Sequence, residues 1–270
     1  MDIRKVTTFL INLDHNKDRL EHATKNLQQL GISPQRFPAV YGKKLDKDYL
    51  DTVIHPYVWY TIENGQTTDP DIQSLGAVGC SLSHISLWQK LVDSSEEVFH
   101  ITEDDACVNA SSEKVNAFLK EVEEIDPDWD VVYIGYNPCS IYKQISISPT
   151  VQKINSLSFG TQSYLIRKKG AEKLLRKAFP ISQHVDTYMS IMAAHAGVRS
   201  YRPSKPFVKQ PLIPFGAMAS DISSISLYKL KAPITRLPTS ILLMSVLISI
   251  FVIVYFIIKG VAKQIKMLTR

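Results

Sequence analysis

Cysteine is scarce in this chain, and that scarcity excludes several classes of protein. Cys80, Cys107 and Cys139 are the only three in 270 residues. No CxxC pair and no Cys/His cluster marks a zinc site, and a disulfide framework does not suit so long a chain. The three read as small hydrophobes in a reducing compartment. Net positive charge is also scarce in the body of the chain. The whole carries +5, but Lys259, Lys263, Lys266 and Arg270 supply four of those charges at the far end. A nucleic-acid binder would carry its basic footprint on the folded domain, so that class is set aside. No GxxxxGK[ST] phosphate loop is present, which disfavours a metal-dependent phosphoryl transferase or hydrolase. There are no internal repeats. Met1 to Asp14 contains no long apolar stretch and no small-residue cleavage site, so no signal peptide is expected.

The composition that remains is that of an ordinary globular protein, 45% hydrophobic and 21% charged, which rules out a disordered or fibrous chain. One segment departs from it. Ser240–Ile258 is nineteen residues without a charge. As a helix rising ~1.5 Å per residue it would cross a hydrocarbon core of ~30 Å. Tyr255 and Lys259 suit the interface at one end. The expected layout is therefore a folded domain over residues 1–225, a juxtamembrane linker over 226–239, a transmembrane helix over 240–258 and a short basic tail over 259–270. With no signal peptide this is a single-pass, tail-anchored arrangement, and the domain is expected to face the cytoplasm.

Within the domain, strands alternate with helices. Val6–Asn12 is a β-branched and apolar run that predicts a buried strand. A helix follows across Asn16–Leu30, with Leu20, Ala23, Leu27 and Leu30 on one face and Gly31 placed to end it. Arg36–Val40 is a second candidate strand. Residues 42–73 show no clear period and predict a long loop with short helical pieces. A helix returns at Leu75–Val92, and Gly76, Gly79, Cys80 and Ser81 near its start leave room for close approach of another backbone or a ligand. Strands at Glu97–Thr102, Asp130–Gly135 and Gly160–Arg167 and helices at Ser112–Glu124, Lys169–Phe179 and Asp186–Ala196 complete the pattern. The alternation predicts an α/β domain around a mostly parallel sheet.

Glu103-Asp104-Asp105 is the most informative short motif. It follows the apolar strand VFHIT and so falls at a strand's carboxyl end, where open α/β sheets bind their ligands. In extended backbone Glu103 and Asp105 would share one face and Asp104 would point away. Two converging carboxylates suit a hard divalent cation such as Mg²⁺ or Mn²⁺. They equally suit a solvated turn or the first-turn acids of a helix.

Five segments in order, FLINLDHNKDR (9–19), GAVGCSLSHISLW (76–88), the strand with its EDD end (98–105), WDVVYIG (129–135) and GTQSYLIRKKGAEKLL (160–175), give the chain a specific likeness. HVDTYM (184–189) and SDI (220–222) add to it. Together they resemble glycosyltransferase family 25, which holds bacterial lipopolysaccharide galactosyltransferases and collagen hydroxylysine galactosyltransferases. The apolar tail is not part of that pattern. The resemblance implies a GT-A-like nucleotide-sugar fold and a metal-dependent, inverting transfer of a hexose, most often galactose. The donor would be a UDP-sugar and the acceptor a glycan that is free, lipid-linked or protein-linked. It assigns Glu103 and Asp105 to a Mn²⁺ or Mg²⁺ ion, and Asp104 to the ribose or to ordering the loop. Asn12, Asp14 and Arg19 are assigned to the nucleotide, and Ser83 and His84 to the same cleft. Asp186 is implied as the base that takes the acceptor's proton, with Asp221 second. The chain departs from the family pattern at His184, where proline is common, and at Gln162, where histidine often stands. A catalytically degenerate, membrane-anchored adaptor of the same fold is the alternative reading.

Overall fold

A computed structural model describes residues 1–64 and 72–210. The strands are β1 Thr7–Asn12, β2 Gln35–Pro38, β3 Val98–Glu103, β4 Cys107–Val108, β5 Val131–Asn137, β6 Ile145–Ser146, β7 Val151–Lys153, β8 Phe159–Arg167, β9 Ser200–Pro203 and β10 Val208–Lys209. The helices are α1 Lys17–Gln28, α2 Lys47–Val53, α3 Pro56–Asn64, α4 Leu75–Asp93, α5 Ser112–Ile125, α6 Lys168–Leu175 and α7 Val185–His195. The strands join into one sheet in the order β2-β1-β3-β8-β5-β9-β7-β6, and β10 pairs with both β4 and β5.

The predicted mostly parallel sheet needs one refinement. β1 runs parallel to β2 and β3, and β5 runs parallel to β9 and β10. β8 lies between these two groups and is antiparallel to both β3 and β5. The sheet is therefore mixed at its centre, where one reversed strand joins two parallel sets.

Period-2 alternation explains why both faces of this sheet are covered. Phe9, Ile11, Phe99, Ile101, Val131, Tyr133, Tyr164 and Ile166 pack on one face with α2, α4, α6 and α7. Leu10, Val132, Ile134 and Leu165 point the other way and meet Ala23 and Leu27 of α1 and Val115, Phe118 and Val122 of α5. α1 ends as its sequence predicts. Gly31 adopts φ +71°, a left-handed conformation that side chains disfavour, and Ile32 N–H returns to Leu27 C=O at 3.2 Å.

The short helical pieces expected over 42–73 are present in residues 42–64, and they pack into the core. α2 and α3 both lie here, and Leu50, Val53 and Val58 are buried in the main core. Asp46 caps α2 by accepting from the Asp48 and Tyr49 N–H groups. Just upstream, the chain crosses α4 backbone to backbone. A Cβ on Gly79 would stand 2.4 Å from Val40 O, and one on Gly42 would stand 1.7 Å from Leu75 O. Among the described residues no helix is long and apolar enough to cross a membrane. The expected linker, transmembrane helix and tail over 226–270 lie outside the described residues.

Candidate functional site

β1 and β3 are parallel neighbours with Ile11 opposite Glu103, so both strands end at the same edge of the sheet. A cleft opens there. Its walls are Asn12 and Leu13 from the end of β1, Asn16 and Arg19 from α1, and Ala39 to Gly42 from the loop after β2. Gly76, Cys80, Ser83 and His84 of α4 and the Glu103-Asp104-Asp105 segment complete it.

The chain turns immediately after Glu103, with Ala106 N–H on Glu103 C=O at 3.2 Å. Strand alternation therefore stops at Glu103, and the expectation that Asp104 points away is corrected: all three carboxylates line the cleft. Asp104 accepts from Asn12 Nδ2 at 2.7 Å and forms an ion pair with Arg19. Arg19 also lies 3.5 Å from Asp105, whose Oδ2 accepts from Gln210 Nε2 at 2.6 Å. Glu103 takes a different set of partners. Its Oε1 accepts from Thr161 Oγ1 at 2.6 Å and stands 3.5 Å from His84 Nε2.

These surroundings separate the three acids. Burial and the neighbouring Glu103 charge push Asp105 up to about 7. Burial also raises Asp104, against the opposing pull of Arg19. Burial acts the same way on Glu103, but the facing His84, Thr161 and Arg19 outweigh it and hold its pKa below the usual value. Asp105 Oδ1 is buried and makes no hydrogen bond. A cleft with three carboxylates, one guanidinium and an unpartnered carboxylate oxygen is short of positive charge. A divalent cation at Glu103 and Asp105 fits that deficit.

The α4 wall is built from buried polar groups. Ser83 Oγ donates to Gly79 C=O at 2.7 Å and accepts from Val40 N–H at 2.8 Å, which ties the helix to the loop after β2. His84 is fully buried. Its Nδ1 shares a 2.9 Å hydrogen bond with Tyr164 Oη, which also accepts from Trp88 Nε1 at 2.9 Å. His84 Nε2 makes no hydrogen bond of normal geometry. Burial and the surrounding carboxylates raise the Cys80 thiol well above its ordinary value.

Asn12, Arg19, Ser83, His84, Glu103, Asp104 and Asp105 thus converge on one cleft. Asp14 does not line it: it is largely exposed and pairs with Arg36. Asp186 sits in the first turn of α7, outside the cleft lining. Its carboxylate accepts from Gly160 N–H at 2.7 Å and Thr187 N–H at 2.6 Å. Asp221 lies outside the described residues. Sequence reasoning missed Cys80, Thr161, Tyr164 and Gln210. Cys80 had a readable signal, because Cys-x-x-x-His on a helix puts both side chains on one face. The absence of a Cys/His cluster, read from the linear sequence, is corrected accordingly: Cys80, His84 and Glu103 come together in space.

The fold and cleft define an α/β protein whose polar site lies where two parallel strands end. A family profile described as glycosyltransferase family 25 (LPS biosynthesis protein) matches residues 5–189. The chain belongs to glycosyltransferase family 25. It is 28% identical over 224 residues to procollagen galactosyltransferase 1-B of Xenopus laevis, a match covering 76% of this chain and 35% of the frog protein. It is 29% identical over 192 residues to a glycosyltransferase 25 family member of Anopheles gambiae, covering 68% of this chain and 31% of the mosquito protein. The chain therefore spans about a third of the length of these curated relatives. Among solved structures, apo UDP-glucose pyrophosphorylase aligns with TM-score 0.40 and 8% identity, over 73% of this chain and 90% of that one.

Proposed function

We propose that this protein transfers a hexose, galactose first among candidates, from a UDP-sugar to a hydroxyl of a glycan, glycolipid or glycoprotein acceptor. The observation that carries the reading is the cleft at the ends of β1 and β3. Its carboxylates exceed its cations, and Asp105 Oδ1 is buried without a partner. Glu103 and Asp105 would hold Mn²⁺ or Mg²⁺, which when bound offsets the charge that develops on a departing diphosphate. Arg19 supplies the fixed positive charge of the cleft, and its fork of donors suits phosphate oxygens as well as it suits Asp104. Asn12 holds Asp104 in place. Ser83 fixes the loop wall against α4.

The transfer is a single displacement. The acceptor oxygen forms a bond to the anomeric carbon while the bond to the UDP oxygen breaks, and the leaving oxygen keeps the electron pair. The acceptor's proton goes to Asp186, which serves as base. The placement of Asp186 supports this role. Its carboxylate accepts from Gly160 N–H, and the next residue, Thr161, donates to Glu103, so consecutive residues of β8 link Asp186 to the acidic site from outside the cleft lining. The apolar run Ser240–Ile258, nineteen residues without a charge, is long enough to anchor the protein in a membrane. Anchoring raises the effective concentration of an acceptor in the same membrane.

The test uses the full chain in detergent. UDP release is followed from a panel of UDP-sugars with Mn²⁺, Mg²⁺ or EDTA. Slow hydrolysis of one sugar, abolished by EDTA and by Asp105→Ala, supports the transferase and names its donor. No release from any donor, together with no metal-dependent UDP binding by calorimetry, overturns it and leaves the degenerate adaptor.

A further inference from the structure

We infer that Cys80, His84 and Glu103 form a cation site of mixed soft and hard character on the α4 wall of the cleft, suited to Zn²⁺ or another borderline transition ion. One ligand atom from each residue can be chosen so that all lie within 4.8 Å of one another. Cys80 and His84 are one helical turn apart, so both project from the same face of α4. The His84 Nε2 to Glu103 Oε1 distance is 3.5 Å. That is close to the edge of a tetrahedron with bonds of ~2.0–2.1 Å, the usual length for zinc to nitrogen or carboxylate oxygen.

A second, independent observation points to a ligand here. His84 is fully buried, and its Nε2, on the side that faces Glu103, has no hydrogen-bond partner. An imidazole nitrogen is rarely left in that state, because a buried polar atom without a partner is destabilising by ~1–3 kcal/mol. The groups behind the ligands also suit metal binding. A metal-bound histidine normally uses its other nitrogen as a donor, and His84 Nδ1 has Tyr164 Oη at 2.9 Å. Tyr164 is itself held by Trp88, and Glu103 is oriented by Thr161 Oγ1 at 2.6 Å.

The chemistry of the set decides which ion it takes. A thiolate and an imidazole favour Zn²⁺, Co²⁺ or Fe²⁺, whereas Mg²⁺ prefers oxygen ligands alone. On binding, the Cys80 thiol gives its proton to solvent as the sulfur–metal bond forms, and the ion releases water. All three residues line the cleft, so an ion held there would be reached from it. The site shares Glu103 with the carboxylate pair of the proposed transferase, but it does not depend on transfer chemistry.

The test strips the full chain of metal in detergent and titrates it with Co²⁺ alone, without nucleotide. The expected result is one Co²⁺ per chain with a thiolate-to-cobalt charge-transfer band, displaced by Zn²⁺. Cys80→Ser should abolish the band, His84→Gln should weaken Co²⁺ affinity at least tenfold, and Asp105→Asn should keep the band. Thermal melts confirm that each variant is folded. If Cys80→Ser does not fold, the wild-type band and its weakening in His84→Gln decide the matter. Co²⁺ binding without a thiolate band, or a band that survives Cys80→Ser and so arises at Cys107 or Cys139, overturns the site. Metal-dependent UDP-sugar turnover without the band would leave the transferase standing and remove this inference. The band without turnover would do the reverse.

Discussion

His84 and His100 are equally and completely buried, yet they occupy opposite situations. His100 lies in the middle of β3, where Thr8 Oγ1 meets its Nδ1 at 3.1 Å and Ser163 Oγ meets its Nε2 at 2.7 Å. Both ring nitrogens are satisfied by neighbouring strands, and burial pushes its pKa down to about 3. His84 faces the strand ends, with one nitrogen engaged by Tyr164 and the other open toward Glu103. Burial alone therefore does not separate a histidine with both ring nitrogens engaged from one with a nitrogen left open. The separation lies in whether each hydrogen-bonding position is already filled.

The largest expected effect is on the open side of this contrast. Asp105→Asn should lower UDP-sugar turnover at least ~100-fold, in line with the loss of a group that serves a developing charge. The same change should raise the melting temperature of the metal-free protein, because Asp105 is held near pKa 7 by burial and by Glu103. The rise should be roughly 2–4 °C per kcal/mol relieved. A variant that loses both turnover and stability would mean that Asp105 is structural like His100.

His100→Ala should behave in the opposite way. It leaves Thr8 and Ser163 hydroxyls buried without their partner and should cost about 2–4 kcal/mol in denaturant unfolding. Turnover per folded molecule should be unchanged. The same residue predicts a pH effect. Its folded pKa lies below the unfolded value of 6.5, so below that pH the unfolded chain binds a proton that the folded chain refuses. Stability from this residue is complete above pH 6.5 and falls by up to about 1.4 kcal/mol per pH unit toward pH 3. Urea midpoints measured at pH 7, 6 and 5 should show that slope in wild type and a shallower one in His100→Ala.

Tyr164→Phe probes the engaged side of His84. Removing the hydroxyl takes a partner from both Trp88 and His84 and should destabilise by about 1–2 kcal/mol, read from the same unfolding curves. The smallest effect is expected at Asp14→Ala, whose carboxylate is exposed and pairs only with Arg36 in the described contacts. No change in melting temperature is expected, since exposed pairs contribute little. A clear loss of UDP affinity in this variant would place Asp14 with the nucleotide despite its position outside the cleft lining.

The same contrast between local and long-range determination governs how much was readable in the sequence. β1, α1 and α4 carry strong periods, and Gly31 marks a helix end through its own backbone, so these elements were legible from local pattern. α2 and α3 are only seven and nine residues long and take their stability from Leu50, Val53 and Val58 in the main core. Short helices held by tertiary packing leave little periodic trace. The reversed direction of β8 is set by pairing with β3 and β5 across long stretches of chain, which no local pattern records. In the site, the family's ordered segments located Glu103 to Asp105, Asn12, Arg19, Ser83 and His84. Alternation failed at Asp104 because the strand ends one residue earlier. Cys80 was passed over because a lone cysteine looks inert until Glu103 is brought beside it.

The crossing at Gly42 and Gly79 has a mechanical consequence for the cleft. With no side chain between the two backbones, and with Ser83 bonded to both Gly79 and Val40, the loop after β2 and the first half of α4 are clamped together. One carries Val40 to Gly42 and the other carries Cys80, Ser83 and His84, so two walls of the cleft form one jaw. An added methyl group at either glycine would pry apart the fixed jaw and change the aperture itself, although neither residue has a side chain to offer a ligand.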